Sequence, residues 1–564
     1  MPEIPIPQAK TSFDEVETGF TETDARAEAD RCLECGCQVN ETCALREYCT
    51  DYEVNALSFP GSINKHPIDY SHPYIVRDAN KCINCGRCVR TCAEIQGPAV
   101  LGYIYRGFAA VVAPEFGESL TQTTCESCGK CIAVCPVGAL VERNLHYKLN
   151  PLPKTETLQN CGLCGTGCYI KVEDQSGVVT RIETPSEDDL QGFNGRDLCF
   201  KGRFGWQVLL SEDRLRTPRA KENGVWRDIS WQEAKELIAS KATTAQKKRF
   251  DVSASLTIEE LLIAKKAAES CGARLQADPC CLPLGPESYF VAPDPFPFAR
   301  LDEFEEYVVC GEIDLVTRTR LRLKQRIGKR LIFVGKSEAP WLRFADAVYP
   351  RLCDLPEASS RLYVYNQEQL SARDAYGVWK LAALDKVYPR NVMAGSDLPN
   401  LGGLIAIEPC FNLPSTADFV IAWGTGLRDQ DSSAFRTSIQ LYKDDDSKAD
   451  LLLPASSYLE IDGSTLGNNG AVSFFRDPAK ANHICELMKL LYELGWINPA
   501  TADINHWNTL ATELLDGLKS KPVKVFDFRN VDPDKLDASP RAIKTELQSR
   551  MTALHEDRKT PVTF

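Results

Sequence analysis

Long apolar runs are missing from this sequence, and no stretch approaches the roughly 20 apolar residues that span a bilayer. The opening MPEIPIPQAK lacks a basic start followed by an apolar run, so we expect no export signal and a cytoplasmic location. A net charge of −13 argues against nucleic acid as a partner, because phosphate binding needs a basic surface. Histidine is scarce, at six residues, whereas there are 24 cysteines. So many thiols without an export signal indicate metal ligation in a reducing compartment, not a disulfide framework.

One cysteine spacing, Cys-x2-Cys-x2-Cys-x3-Cys, occurs twice. The first copy comprises Cys82, Cys85, Cys88 and Cys92, and the second comprises Cys125, Cys128, Cys131 and Cys135, followed by Pro136. This is the bacterial two-cluster ferredoxin arrangement, in which the fourth cysteine of each run ligates the cluster of the other run. We therefore predict two [4Fe–4S] clusters with crossed ligands, one held by Cys82, Cys85, Cys88 and Cys135 and the other by Cys125, Cys128, Cys131 and Cys92. The alternative is a pair of zinc knuckles, which usually combine two Cys-x2-Cys units, often with histidine.

A third group of cysteines has the spacing Cys-x2-Cys-x3-Cys-x30-Cys and comprises Cys161, Cys164, Cys168 and Cys199. Three of these thiolates lie on a tight glycine-rich turn, and the fourth follows a small β-rich segment. This arrangement again predicts a [4Fe–4S] site. The long segment between the third and fourth cysteines fits the usual ligand spacing of a zinc site poorly.

The sequence around the third group, CGLCGTGC with LCFKGRFG, resembles the iron–sulfur domain of the molybdopterin oxidoreductases, especially formate dehydrogenases. In that family the lysine of the motif, which matches Lys201, lies between cluster and pterin, so the resemblance implies a cofactor-binding role for Lys201. HPYIVRDANKCINCGRCVRTCAEIQG, from His72, with YRGF and CESCGKCIAVCPVGAL, resembles formate dehydrogenase alpha subunits. It also resembles the large iron–sulfur subunit of respiratory complex I and the iron-only hydrogenases. Their cluster with one histidine ligand has a shorter His–Cys spacing, so we expect His66 and His72 to be structural or surface residues.

The N-terminal segment RCLECGCQVNETCALR resembles the iron–sulfur region of glutamate synthase small subunits. The segment and the residues that follow it contain five cysteines, whereas a [4Fe–4S] cluster needs four ligands. We favour a fourth [4Fe–4S] cluster on the closely grouped Cys32, Cys35, Cys37 and Cys43, with Cys49 as the alternative to Cys37. A [2Fe–2S] cluster or a zinc ion is the competing identity for this site. The N-terminal [2Fe–2S] domain of complex I is not recognisable here, so we expect electrons to enter through another subunit or through this cluster.

The second half of the chain alternates amphipathic helices with short apolar strands, which predicts a parallel α/β sheet with crossover helices. ADLLLPASSYLEIDGSTLGNNGAV resembles a molybdopterin-family loop that usually carries a glutamate and an arginine, where this chain has Asn469 and Ala471. Cys280 and Cys281 lack the following histidine of a formate dehydrogenase metal ligand, and no GxGxxG or Walker A motif is present. We therefore expect a degenerate fold with no flavin, no bound molybdopterin and no substrate site of its own.

The expected architecture is α+β followed by α/β. Its units are a helical, cysteine-rich N-terminus (1–55), a two-cluster ferredoxin domain (56–150), a small β-rich [4Fe–4S] domain (151–215), a truncated molybdopterin-oxidoreductase-like α/β domain (216–480) and a helical C-terminal region (481–564). Five units agree with about 100–200 residues per domain for a chain of 564 residues.

These features predict an iron–sulfur electron-transfer subunit of a soluble NAD(P)H-linked oxidoreductase, working in an anaerobic or microaerobic setting. Clusters carry single electrons whereas NAD(P)H gives hydride, so a flavin must stand between them. The expected partner is a flavin-containing, NAD(P)H-binding subunit, with ferredoxin or another redox subunit as a further partner. The alternatives are a compact molybdenum or tungsten formate dehydrogenase and a zinc-stabilised scaffold.

Overall fold

The computed structural model describes most of the chain, with gaps. The described residues are 3–30, 43–55, 58, 61–62, 64–145, 154–175, 177–185, 194–278, 290–291, 301–335, 340–358, 360–366, 378, 381–382, 392–395, 400, 404, 406–407, 416–425, 427, 433–443, 448–466, 472–475, 483–501, 503–520 and 523–524. Within these ranges no helix is long and apolar enough to cross a membrane. Several residues singled out above lie outside the described residues: Cys32, Cys35, Cys37, Cys280, Cys281, Asn469 and Ala471.

Three short helices precede the doubled cysteine motif: α1 (Ile6–Ala9), α2 (Glu22–Asp30) and α3 (Ala44–Asp51). The alanine-rich run at 23–31 was predicted to be helical, and α2 confirms this. Its first turn holds Glu22 and Asp24, whose negative charges favour a helix N-terminus. α3 begins directly after Cys43, but none of its residues is buried.

Two antiparallel strand pairs frame the doubled motif. β1 (Ile75–Arg77) pairs with β4 (Leu140–Glu142), and β2 (Gly102–Ile104) pairs with β3 (Val111–Ala113). Each cysteine run enters a short helix, α4 (Arg87–Arg90) or α5 (Lys130–Ala133), and α4 continues as the π-helical turn Thr91–Gln96. Such π-turns are frequent at functional sites. A small apolar core joins β1, β3, β4 and both helices.

The third cysteine group is built on a three-stranded antiparallel sheet of β5 (Thr155–Asn160), β6 (Tyr169–Gln175) and β7 (Val178–Glu183). Cys161, Cys164 and Cys168 lie in the connection between β5 and β6, and α6 (Phe200–Phe204) begins directly after Cys199. The segment between the third and fourth cysteines therefore contains β6 and β7, which confirms its predicted β character.

Most of the remaining strands form two larger sheets. The strands are β8 (Arg219–Glu222), β9 (Val225–Asp228), β10 (Lys248–Val252), β11 (Arg274–Ala277), β12 (Phe290–Val291), β13 (Glu306–Cys310), β14 (Arg330–Val334), β15 (Ala347–Tyr349), β16 (Arg361–Asn366), β17 (Val392–Gly395), β18 (Phe419–Trp423), β19 (Phe435–Gln440), β20 (Leu451–Pro454), β21 (Gly463–Leu466), β22 (Val472–Phe475) and β23 (Val523–Lys524). The helices are α7 (Trp231–Thr244), α8 (Ile258–Cys271), α9 (Leu315–Arg326), α10 (His483–Glu493) and α11 (Ile504–Ser520). Outside the two larger sheets, β12 pairs with β23 and β21 pairs with β22 in two separate antiparallel pairs.

One sheet has seven strands in the order β11-β10-β18-β19-β20-β8-β9, in which β11 to β20 run parallel and β8 and β9 add antiparallel. The other has five parallel strands in the order β15-β14-β13-β16-β17. The predicted parallel α/β character is confirmed. The sequence pattern did not indicate that the strands divide between two sheets.

Both helices that lead into the first sheet begin at capping boxes. Ser230 caps α7 with Glu233, and Thr257 caps α8 with Glu260, each pair exchanging side-chain and backbone hydrogen bonds. Such caps satisfy amide groups that have no intrahelical partner. α8 contacts β10 and β11 and also α11, and α7 contacts α10. The helical character expected after residue 481 is confirmed for α10 and α11, while the five domain boundaries stay predictions.

Candidate metal centres

The two copies of the doubled motif fold into the same loop. Asn84 and Ser127, two positions after the first cysteine of each copy, have φ values of 53° and 52°, and Gly86 and Gly129 have φ values of 70° and 67°. In this left-handed conformation the amide N–H of Asn84 and that of Ser127 each donate to the Sγ of the preceding motif cysteine, at 3.4 Å. Such hydrogen bonds stabilise a thiolate over a thiol. The sequence repeat is therefore also a repeat of backbone geometry.

The structure gathers the eight thiols around two cavities. The first cavity is lined by Cys82, Cys85, Cys88 and Cys135. The second is lined by Cys92, Cys125, Cys128 and Cys131. The π-helical turn Thr91–Gln96 contacts α5, which brings Cys92 beside the second motif. This grouping is the one that the crossed arrangement requires, while ligation of iron stays a prediction.

The third group surrounds the connection between β5 and β6. Cys161 and Cys168 are buried, and the N–H of Cys161 donates to the carbonyl of Cys168 at 2.7 Å. The Sγ of Cys199 accepts the N–H of Gly202 at 3.4 Å. A Cβ atom at Gly202 would lie 3.8 Å from the sulfurs of both Cys161 and Cys199, so these two thiols meet over the first turn of α6.

The surroundings of these thiols disfavour their ionisation when no cation is present. Burial, helped by neighbouring negative groups, raises the pKa of Cys88 and of Cys128 to about 11 and that of Cys164 to about 12. Asp314 is the N-cap of α9, and its negative charge opposes ionisation of Cys164 and Cys199. A bound metal cluster would supply the positive charge that four neighbouring thiolates need.

Within the described ranges, no three His, Cys, Asp or Glu side chains converge closely enough to hold one metal ion. The choice between iron–sulfur clusters and zinc therefore continues to rest on the cysteine spacing, which is that of two-cluster ferredoxins.

His72 supports the second motif. Its Nδ1 accepts the amide N–H groups of Tyr74 and Ile75, both at 3.1 Å. The ring proton therefore resides on Nε2, which donates to the Oγ of Ser127 at 3.0 Å. Burial lowers the pKa of His72 and so favours this neutral form. Both ring nitrogens are occupied by protein groups, which agrees with the expected structural role. His66 is half-buried, and its N–H donates to the Oδ1 of Asn80 at 2.9 Å.

Replacing His72 by alanine is expected to leave the iron content unchanged and to lower the free energy of unfolding by about 2 kcal/mol. Buried amide groups that lose their acceptor cost roughly 1–3 kcal/mol. Iron analysis and denaturant titration under anaerobic conditions measure the two quantities. A loss of about four irons per chain would instead indicate that His72 ligates a cluster.

A buried junction joins the second and third sites, and sequence reasoning missed it. Arg203, in α6, is almost fully buried, and its Nη1 lies 3.5 Å from Oε1 of Glu142, in β4. Nε of Arg181 lies 3.6 Å from the same oxygen. Burial raises the pKa of Glu142, and the two arginines oppose that shift. The signal in the sequence was the arginine of KGRFG, directly after the third cysteine group.

Aromatic side chains and a second ion pair reinforce this junction. The ring of Tyr74 stacks on Phe204 with centroids 5.0 Å apart and meets the edge of Phe200, also at 5.0 Å. Lys130, between two cysteines of the second motif, pairs with Asp197, two residues before Cys199. The loops of the second and third sites are thereby fixed against each other.

A cavity of about 580 Å³ opens beside the third site, at the carboxyl ends of β10 and β18. Its wall includes Gly162, Trp206 and Tyr458 from the surroundings of the cysteine group. The described lining holds no lysine or arginine and one carboxylate, Glu260, so it offers no cation to the phosphates of a pterin dinucleotide. Lys201 is exposed and does not line this cavity. The expectation that no molybdopterin is bound stays a prediction.

The N-terminal group is described only at Cys43 and Cys49. Cys43 directly precedes α3, and Cys49 lies within it. The choice between Cys37 and Cys49 stays a prediction.

Free cysteines outside metal sites are ordinarily small, buried hydrophobic residues, and this is the expectation for the isolated cysteines of this chain. Cys310 is buried in β13 and Cys271 is half-buried at the end of α8. Cys353 and Cys485 are exposed, so the expectation is wrong for them. Cys410 lies outside the described residues.

Two family models match the cysteine-rich regions. Residues 72–141 match the ferredoxin-like domain of NADH-quinone oxidoreductase subunit 3, and residues 155–211 match the molybdopterin oxidoreductase Fe4S4 domain. Together these ranges contain the twelve candidate ligands from Cys82 to Cys199. The resemblance predicted for both regions is confirmed, and the likeness of the N-terminal segment to glutamate synthase stays a prediction.

Curated relatives match the chain over similar lengths. A subunit of an NADH-quinone oxidoreductase of Rhizobium meliloti is 36% identical over 176 residues, 31% of this chain and 20% of that protein. NADPH-Fe(3+) oxidoreductase subunit alpha of Geobacter sulfurreducens is 32% identical over 185 residues, 33% of this chain and 21% of that protein. NADH-quinone oxidoreductase subunit 3 of Thermus thermophilus is 30% identical over 213 residues, 36% of this chain and 25% of that protein. The chain spans about a fifth to a quarter of the length of these relatives.

Proposed function

We propose that this chain is an iron–sulfur electron-transfer subunit of an NAD(P)H-linked oxidoreductase complex. The observation that carries the proposal is the gathering of eight thiols, four by four, around two neighbouring cavities. A third group of four thiols is joined to the second cavity through α6, α5 and the Glu142–Arg203 pair. Three metal centres in sequence along one chain form a path for single electrons.

The ligands proposed for these clusters are the twelve described thiols. Cys82, Cys85, Cys88 and Cys135 hold the first, Cys92, Cys125, Cys128 and Cys131 the second, and Cys161, Cys164, Cys168 and Cys199 the third. A fourth cluster on Cys32, Cys35, Cys37 and Cys43 is proposed from the sequence alone. When bound, the clusters accept and release one electron each. The protein sets their potential through amide N–H donors such as that of Gly202 and through nearby charge such as Asp314.

The partner is proposed to be a flavoprotein that binds NAD(P)H. Hydride donors deliver two electrons, and a flavin divides them into single electrons that clusters can carry. The names of the relatives, NADH-quinone and NADPH-Fe(3+) oxidoreductase subunits, support a complex of this class. A pterin is not proposed, because the described cavity lining lacks cations and Lys201 lies outside that lining.

Metal and sulfide analysis of protein purified without oxygen tests this function. We expect about sixteen irons and a similar amount of acid-labile sulfide per chain, with broad visible absorption that bleaches on reduction. Zinc without that absorption would favour a structural scaffold. Molybdenum or tungsten at about one atom per chain would favour a compact formate dehydrogenase. Either result would overturn the proposal.

A further inference from the structure

The hairpin of β2 and β3 presents an exposed aromatic face beside the first cavity. Four large apolar side chains of this face are about half exposed or more: Ile83 (48%), Tyr103 (49%), Tyr105 (72%) and Phe108 (70%). Isolated apolar residues are normal on a protein surface, but a contiguous group of this kind marks an interaction site.

These side chains belong to one continuous surface. The hydroxyl of Tyr103 donates to the carbonyl of Asn84 at 2.7 Å, which fixes the hairpin on the loop of the first motif. The Nδ2 of Asn84 donates to the carbonyl of Ala110, which directly precedes β3, at 3.2 Å. Tyr105 and Phe108 lie in the turn between the two strands. We call residues 83–90 and 102–110 the hairpin face.

The charge of the hairpin face is opposite to that of the chain. The chain has a net charge of −13, whereas these two segments carry three arginines and no aspartate or glutamate. The arginines are Arg87, Arg90 and Arg106, and all three are exposed. Nη2 of Arg90 lies 3.5 Å from the carbonyl of Cys85, so positive charge stands next to a candidate ligand.

The first cavity is also where the cluster path comes nearest to solvent. Of the twelve thiols from Cys82 to Cys199, Cys85 alone is exposed, and it lies within the hairpin face. Cys161 and Cys168, at the other end of the path, are buried. Electron exchange between proteins needs two centres close to a shared interface, so Cys85 marks the entry or exit point.

From these observations we infer that the hairpin face docks an acidic redox protein that exchanges single electrons with the first cluster. Carboxylates on that protein would face the three arginines, and its apolar residues would cover Tyr105 and Phe108. In each event the carrier's one-electron centre loses an electron and the first cluster gains it, or the reverse, with no bond made or broken. Complementary charge mainly raises the association rate and makes it sensitive to salt. The inference rests on the proposed function and adds the place and charge of the partner.

The test measures electron transfer from a reduced, acidic, plant-type [2Fe–2S] ferredoxin to the full-length, oxidised chain by stopped-flow absorption. Arg90→Glu combined with Arg106→Glu reverses two charges on the hairpin face and leaves Arg87, which lines the first cavity, in place. Lys266→Glu combined with Lys489→Glu makes the same change in charge at exposed positions on α8 and α10. Reduction of every variant by a viologen radical checks that the clusters are intact.

We expect the arginine variant to lower the second-order rate constant at least tenfold at low ionic strength and the lysine variant to change it less than twofold. The wild-type rate should fall as salt is added, and the arginine variant should lose most of that dependence. Tyr105→Ser combined with Phe108→Ser should weaken binding while keeping the salt dependence.

Equal rates for the arginine and lysine variants would overturn the docking face. So would a wild-type rate constant for the acidic ferredoxin that rises as salt is added. If those results came with normal cluster absorption and normal reduction by viologen, the proposed function would stand and only the docking face would fail. Wild-type protein without cluster absorption would overturn both.

Discussion

Removal of Cys92 is expected to cost the second cluster, although Cys92 belongs to the first cysteine run. Cys92→Ala should lower the iron content by about four per chain and remove one cluster signal from the electron paramagnetic resonance spectrum. The reason is the position of Cys92 on the wall of the second cavity, with Cys125, Cys128 and Cys131. Cys353→Ala, at an exposed thiol outside the candidate sites, should keep all the iron.

Two double variants separate crossed from uncrossed ligation by iron count alone. If ligands are crossed, Cys92→Ala with Cys125→Ala removes one cluster, whereas Cys92→Ala with Cys82→Ala removes two. Uncrossed ligation predicts the reverse pattern. Cys199→Ala should remove the third cluster and leave the first and second intact, because its partners form a separate group. Loss of two clusters from the double variant Cys92→Ala with Cys125→Ala would show that the crossed assignment is wrong.

A side chain at Gly129 is expected to destabilise the junction between the second and third sites. A Cβ at this position would collide with Cδ of Arg203 and lie 2.7 Å from its Nε and 3.2 Å from Cζ of Phe204. Gly129 also has a φ of +67°, which an alanine adopts only at a cost of roughly 1–2 kcal/mol. Displacing Arg203 would weaken its pairing with buried Glu142, and removing a partner from a buried charge costs about 3–5 kcal/mol.

Gly129→Ala should therefore lower the free energy of unfolding by about 3 kcal/mol or more. Gly224→Ala is the matched control, because Gly224 has a φ of +82° and no atom within 4 Å of its Cβ position. The control should cost roughly 1–2 kcal/mol, from backbone strain alone. Denaturant titration followed by circular dichroism, without oxygen, compares the two variants. Equal decreases in the free energy of unfolding would mean that a side chain at position 129 does not displace Arg203.

Local sequence patterns were sufficient where physical chemistry acts over a few residues. The spacing from Cys82 to Cys135 identified a duplicated loop, and its two copies have matching φ values at Asn84 and Ser127. The start of α7 at Trp231 follows from Ser230 and Glu233, three residues apart. His72 could be assigned a structural role from its spacing, but its contact with Ser127 joins residues 55 positions apart and had no sequence signal.

By itself, the sequence determined the cysteine groups, the iron–sulfur character they imply and the change to parallel α/β structure, because ligand spacing and hydrophobic periodicity are local properties. Only the tertiary structure decided how Arg203 and Glu142 join two sites and that exposed aromatic and arginine residues meet beside Cys85. These features depend on contacts between residues that are far apart in the chain and that side-chain packing brings together. No sequence pattern within one segment encodes such contacts.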